Sequence, residues 1–143
     1  MSSEVPAYVY KILPHESVDP SFSLPASPLP TDYTIPLPKL DHDDGFVHLS
    51  ASTQLATTLE LFFKDVTAVT VLKIAVEVIE KRGRLEWLGP DGQASPPPYA
   101  CAHGWVNPVE LRGHEIQGVI EVDRDELSWT TPLKAHEDQG FFK

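Results

Sequence analysis

The sequence predicts an α+β fold built on a mostly antiparallel sheet with few helices. Three observations lead there. Short β-branched and aromatic runs recur along the 143 residues, two segments read as helices, and the order is strand, long loop, strand, helix, strand, then several more strands. The length suits one domain spanning residues 1–143, enough for a real core but short of two comfortable ones.

The first strand is expected over residues 7–13, AYVYKIL, rich in aromatic and branched side chains. Prolines then crowd residues 14–38, which excludes regular helix and central strand and predicts a long extended loop. Its Phe22, Leu24, Leu29, Tyr33, Ile35 and Leu37 are too apolar for a purely solvated linker. They predict a loop lying across the domain and walling a pocket. DHDDG reads as a turn, and GFVHLS as a short strand.

A helix follows in ASTQLATTLELFFK, with Ser50 or Ser52 as its cap and an apolar stripe from Leu55 and Leu59 to Phe63. VTAVTVLKIAV reads as a buried strand, and VEVIEKRG as a short helix stopped by Gly83. RLEWL alternates Leu85 and Trp87 against Arg84, Glu86 and Leu88, as a strand does. GPDGQASPPPYA is a second loop. ACAHGWV and EIQGVIEV add two strands, and residues 123–143 form an extension expected to give one strand and then fray.

A formal charge of -10 argues against a nucleic-acid surface, which needs clustered Lys and Arg. Cys101 is the single cysteine, so no intramolecular disulfide forms, and a reducing compartment is expected. MSSEVPAYVYK has neither a basic leader nor a long apolar run, and no stretch approaches a membrane span, so the expected location is the cytosol.

Six histidines are available, yet none stands in an HxxxH, HxH or CxxC arrangement, so no metal is expected. Cys101 and His103 lie two apart and would share a strand face. That is the geometry of a Cys–His nucleophile pair, although a small buried cysteine beside a structural histidine is the plainer reading. Glu86 would serve as a general acid or base if buried, and otherwise lies on a solvated strand face. Trp87 and Trp105 suit a core or a stacking platform. The residues alone lead to an α+β domain with a candidate His48/His103 site.

Several motifs together resemble a known family. Tyr10-Lys11-Ile12, then Asp44-Gly45-Phe46-Val47-His48-Leu49-Ser50 with Gln54 in the next helix, then Trp87 and the strand histidine His103, are similar to the domain of unknown function 952 family. The likeness covers roughly residues 8–122. The chain has Trp87-Leu88 where that family has Trp-Glu, so the usual acidic residue is absent. Trp105 replaces a tyrosine after His103.

The resemblance implies an ADP-ribosyltransferase-like split sheet, with a mid-sheet cleft walled by His48 and His103. It implies catalytic roles for those two histidines and substrate contacts from Asp44, Phe46, Ser50, Gln54, Trp87 and Trp105.

Two imidazoles with ordinary pKa values near 6.5 suit proton transfer at neutral pH. The leading expectation is therefore a cofactor-independent enzyme acting on a small metabolite, by isomerisation, cyclisation, elimination or hydrolysis, in a repurposed cleft. The lengthened loops favour a specialised substrate such as a secondary metabolite. The first alternative is an NAD-binding or NAD-consuming transferase, with Arg84 and Arg112 as the cations for a pyrophosphate. The second is a non-catalytic ligand-binding domain with structural histidines. The partner expected is a small molecule, with no nucleic acid or membrane, on a monomer or homodimer.

Overall fold

The computed structural model describes residues 7–25, 29–51, 54–63, 66–88, 101–106, 108–124, 129, 132–134 and 141. Six strands form two antiparallel three-stranded sheets. In the first, β1 (Tyr8–Pro14) and β6 (Ile116–Asp123) flank β3 (Ala68–Ala75). In the second, β2 (Val47–Leu49) and β4 (Gly83–Leu88) flank β5 (Cys101–Val106). The sheets meet at a bridge between Tyr10 and Ser50, whose backbones exchange hydrogen bonds of 2.8 and 2.9 Å.

Strand parity divides the apolar residues between two cores. Val9 and Leu13 on β1 and Leu72 and Ile74 on β3 face one way. They pack with Val47, Leu49, Ala102 and Val106 from the second sheet. Tyr10, Ile12, Val69 and Val71 face the other way, onto Leu55 and Leu59 of α2 (Leu55–Phe62) and onto Trp129. The first sheet is thus covered on both faces, which explains its near-continuous hydrophobic strands. α3 (Val76–Arg82) follows β3 directly and sends Val76 and Ile79 into the first core, with Gly83 at its C-cap as expected.

Three expectations need correction. DHDDG is not a plain turn, because Lys39–Asp44 forms a helix, α1, ended by Gly45 in the left-handed conformation at φ 80°. Ser50 does not cap α2. It is held in the bridge to Tyr10, and Gln54 occupies the N-cap position without a side-chain capping bond. Ser52, the other candidate cap, lies outside the described residues, as does the loop over residues 89–100. The extension contains no strand among its described residues past Asp123. Residues 132–134 are helical, and Trp129 is fully buried, its backbone N–H bonded to Glu60 Oε1 at 2.8 Å.

The proline-rich segment does lie against the domain. Its backbone bonds the turn before β6 through Ile35 to Leu111, Gly113 to Tyr33 and His114 to Thr31, at 2.8–3.0 Å. A short 3-10 turn, Pro20–Phe22, interrupts it. No helix among the described residues is long and apolar enough to cross a membrane.

Candidate functional site

His48 sits at the centre of β2, between Val47 and Leu49, which point into the core. Alternation turns its imidazole to the opposite face, where α1 supplies carboxylates. Nδ1 lies 2.6 Å from Asp41 Oδ1, and Nε2 lies 3.0 Å from Asp44 Oδ2. Asp41 is only 1% exposed, whereas Asp44 is exposed.

The second Asp41 oxygen stands 2.5 Å from the Nζ of Lys11, itself buried on β1, and the same ammonium donates to the His48 carbonyl oxygen at 3.1 Å. Burial pushes the Asp41 carboxyl up, but the His48 hydrogen bond and the Lys11 charge outweigh it and hold the group below the ordinary carboxylate range. Burial pulls Lys11 below its ordinary value, against the opposing attraction of Asp41. An ionised, acceptor-only Asp41 fixes the proton on His48 Nδ1. Nε2 faces the exposed Asp44 carboxylate and becomes the nitrogen that gives or takes a proton once that carboxylate yields.

These groups form the polar floor of a cavity of about 430 Å³. Lys11, Asp41, His48 and Ser50 supply the floor, and Ile12, Pro38, Leu40, Leu49 and Phe63 the apolar wall. Leu40 is an exposed large hydrophobic residue, 57% accessible. A mostly apolar hollow with a few convergent polar groups is the usual form of a small-molecule site.

Across the sheet, the register sets His48 opposite His103 and His103 opposite Glu86. The three side chains form one row on the face turned away from the core, joined by Trp105 and Arg84 two residues along. Phe46 packs on this row, its ring centroid 4.3 Å from His48, 4.4 Å from His103 and 4.7 Å from Trp105. The two imidazoles are 6.3 Å apart by centroid, so an apolar ring mediates between them. His103, Phe46 and Trp105 are not among the residues walling the cavity.

Trp87 is a correction to the expected site. Paired with Ala102, it points to the core face and packs against the first core, away from both histidines. Glu86 gains what Trp87 loses. It shares a face with Leu88 and stands beside His103, with Arg84 3.4 Å away.

Arg112, the other cation expected near a pyrophosphate, is bound instead to Glu110 at 2.5 Å and to the Asp32 carbonyl, beside the proline-rich segment. Gln54 is half-buried at the start of α2 and does not wall the cavity. Cys101 opens β5 opposite Leu88, while its side chain lies outside the described residues.

Lys11 and Asp41 escape a reading of the sequence as site residues, yet each leaves a trace there. A lysine in the apolar run YVYKIL must find a partner if the strand is covered on both faces. Asp41 stands seven residues before His48, one helix and a glycine turn away.

Fold and site together define a small α+β protein of two antiparallel sheets, carrying a carboxylate-oriented histidine over an apolar cavity. Residues 30–99 match the model of the family described as "Protein of unknown function (DUF952)". Among solved structures, the chain is similar to the crystal structure of protein CC0527 from Caulobacter crescentus. The TM-score is 0.56 at 21% identity, covering 83% of this chain and 89% of that one. The solution NMR structure of the same protein gives 0.55 at 21%, over 84% and 88%. At such identity the likeness speaks for the fold alone. No curated protein matches the chain.

Proposed function

We propose that the protein is a small-molecule enzyme in which His48 acts as general acid or base on a metabolite held in the cavity beside it. The observation that carries this reading is the chain Lys11–Asp41–His48. A buried, ionised carboxylate accepts from Nδ1, and a buried lysine holds that carboxylate in place. Such an arrangement fixes one tautomer and one ring orientation, which proton transfer in a bound complex requires. Asp44 occupies Nε2 at rest. As an exposed carboxylate at the end of α1 it is free to yield to a substrate oxygen or nitrogen.

Ser50, on the cavity floor, orients the substrate in this reading. The reaction types that suit one positioned imidazole are isomerisation, cyclisation, elimination and hydrolysis, and none of them calls for a cofactor. The split pair of sheets then serves as an ADP-ribosyltransferase-like frame whose cleft takes a new, specialised substrate.

A second reading, an NAD-binding or NAD-consuming transferase, draws support from Glu86. Its place in register with His48 and His103 restores an acid to that sheet face although position 88 is leucine. Thermal-shift measurements on wild type and His48→Ala, with a panel of apolar metabolites and with NAD, separate the readings. The proposal expects stabilisation by metabolites that His48→Ala or Ser50→Ala weakens. Stabilisation by NAD alone, lost in Glu86→Gln, would favour the transferase. No shift with any compound would return His48 to a structural role in a non-catalytic domain.

A further inference from the structure

A second cavity, of about 500 Å³, lies between the proline-rich segment and the first sheet. Its floor is Thr70, Val119 and Glu121 from β3 and β6, and Phe22 and Leu24 of the proline-rich segment face them. His15 and Glu16, just past the end of β1, close one side. None of these residues belongs to the His48 site.

We propose that this cavity binds a small organic cation, a primary amine on an apolar body. Glu16 and Glu121 are the charged groups in the lining, with no Lys or Arg among the described lining residues, so the local field favours a cation. Phe22, Leu24, Pro25 and Val119 make up the apolar part of the wall, and an aromatic side chain among them suits an ammonium ligand.

Thr70 supplies an independent sign. It is 5% exposed, points to the same side of β3 as Leu72 and Ile74, and its hydroxyl has no hydrogen-bond partner among the described residues. That hydroxyl opens onto the cavity, where a ligand donor would find it as an acceptor. An ammonium has three donors, matching Glu16, Glu121 and Thr70.

The competing occupant is a divalent metal, since ligand atoms of His15, Glu16 and Glu121 lie within 4.8 Å of one another. The imidazole argues against it. The Ser17 backbone N–H donates to His15 Nδ1 at 3.1 Å, so the lone pair resides there. The ring proton is then on Nε2, donated to Glu121 Oε1 at 2.9 Å, and Nε2 is not free to ligate. The cavity also exceeds by far the volume of about 30 Å³ that one water takes in the liquid.

Isothermal titration of the full chain tests the proposal. The probes are butylamine, cyclohexylmethylamine and phenethylamine, each compared with the alcohol of the same skeleton, and zinc chloride is titrated separately. We expect at least one amine to bind about tenfold or more tightly than its alcohol, as a charge-assisted hydrogen bond implies. Glu121→Gln and Thr70→Val should each weaken that binding, and His48→Ala should leave it unchanged. Amines binding no better than their alcohols would overturn the proposal, as would amine binding indifferent to both Glu121→Gln and Thr70→Val. One equivalent of zinc bound in wild type and lost in Glu121→Gln would assign the cluster to a metal instead.

Discussion

Lys11 and Asp41 are two charges that folding removes from water, and each is tolerated because the other is there. Removing one leaves the other buried and unpaired. Asp41→Ala should therefore destabilise the protein by about 3–5 kcal/mol in urea denaturation. The double variant Lys11→Met/Asp41→Ala should recover a substantial part of that loss, because a methionine carries no charge to strand. The acid limb follows from the same pair. The Asp41 carboxyl is held below its ordinary value, so between the folded and unfolded pKa values the unfolded chain binds more protons and stability rises with pH. This contribution is complete above the unfolded value, about 3.9, and is lost as pH falls through the folded one. Urea midpoints measured from pH 2 to 6 should show that slope in wild type and a flatter one in Asp41→Asn.

Among the elements, α1 and the turn after it decide where His48 points. Gly45 lies at φ 80°, and a Cβ added there would meet nothing within 4 Å, so Gly45→Ala meets backbone strain rather than a clash. The expected cost is about 1–2 kcal/mol, with a matching loss of ligand response at His48. Gly113 is constrained differently, because a Cβ there would lie 1.9 Å from the Pro30 carbonyl oxygen. Gly113→Ala must push the proline-rich segment away, and it should cost about 1–3 kcal/mol and raise proteolysis near residues 29–35. Strand parity is legible in the residues. Leu85 and Trp87 oppose Arg84 and Glu86 in the structure as in the pattern, and VHL buries Val47 and Leu49 while leaving His48 outside the core. The register is not, since pairing Glu86 with His103 needs two strands that a pattern treats separately. The stretch that forms α1 reads as a turn because three aspartates in six residues are poor helix formers. Its buried Asp41, paired with Lys11 and His48, is a tertiary effect that overrides local preference.

Across the molecule, two cores share the first sheet, and the second depends on residues far apart in the chain. Trp129 and Leu133 pack there with Tyr10, Leu55, Leu59 and Val122, while the Phe141 ring lies 5.9 Å from Tyr10. Residues 123–143 read as a fraying extension because their charged and small residues show no period. Only the distant partners make Trp129 a core residue. Trp129→Ala should cost about 3–5 kcal/mol, and a chain ending at Asp123 should unfold at lower urea than wild type. If the truncated chain were as stable as the full one, the second core would be complete without this segment.

Everything proposed for His48 turns on Asp41 fixing the proton on Nδ1 and leaving Nε2 to act. Long-range ¹H–¹⁵N NMR of the imidazole, recorded through its titration in wild type and Asp41→Asn, reads that directly. We predict a neutral form protonated at Nδ1 in wild type and a mixed or reversed tautomer in the variant. A neutral His48 protonated at Nε2 in wild type would contradict it.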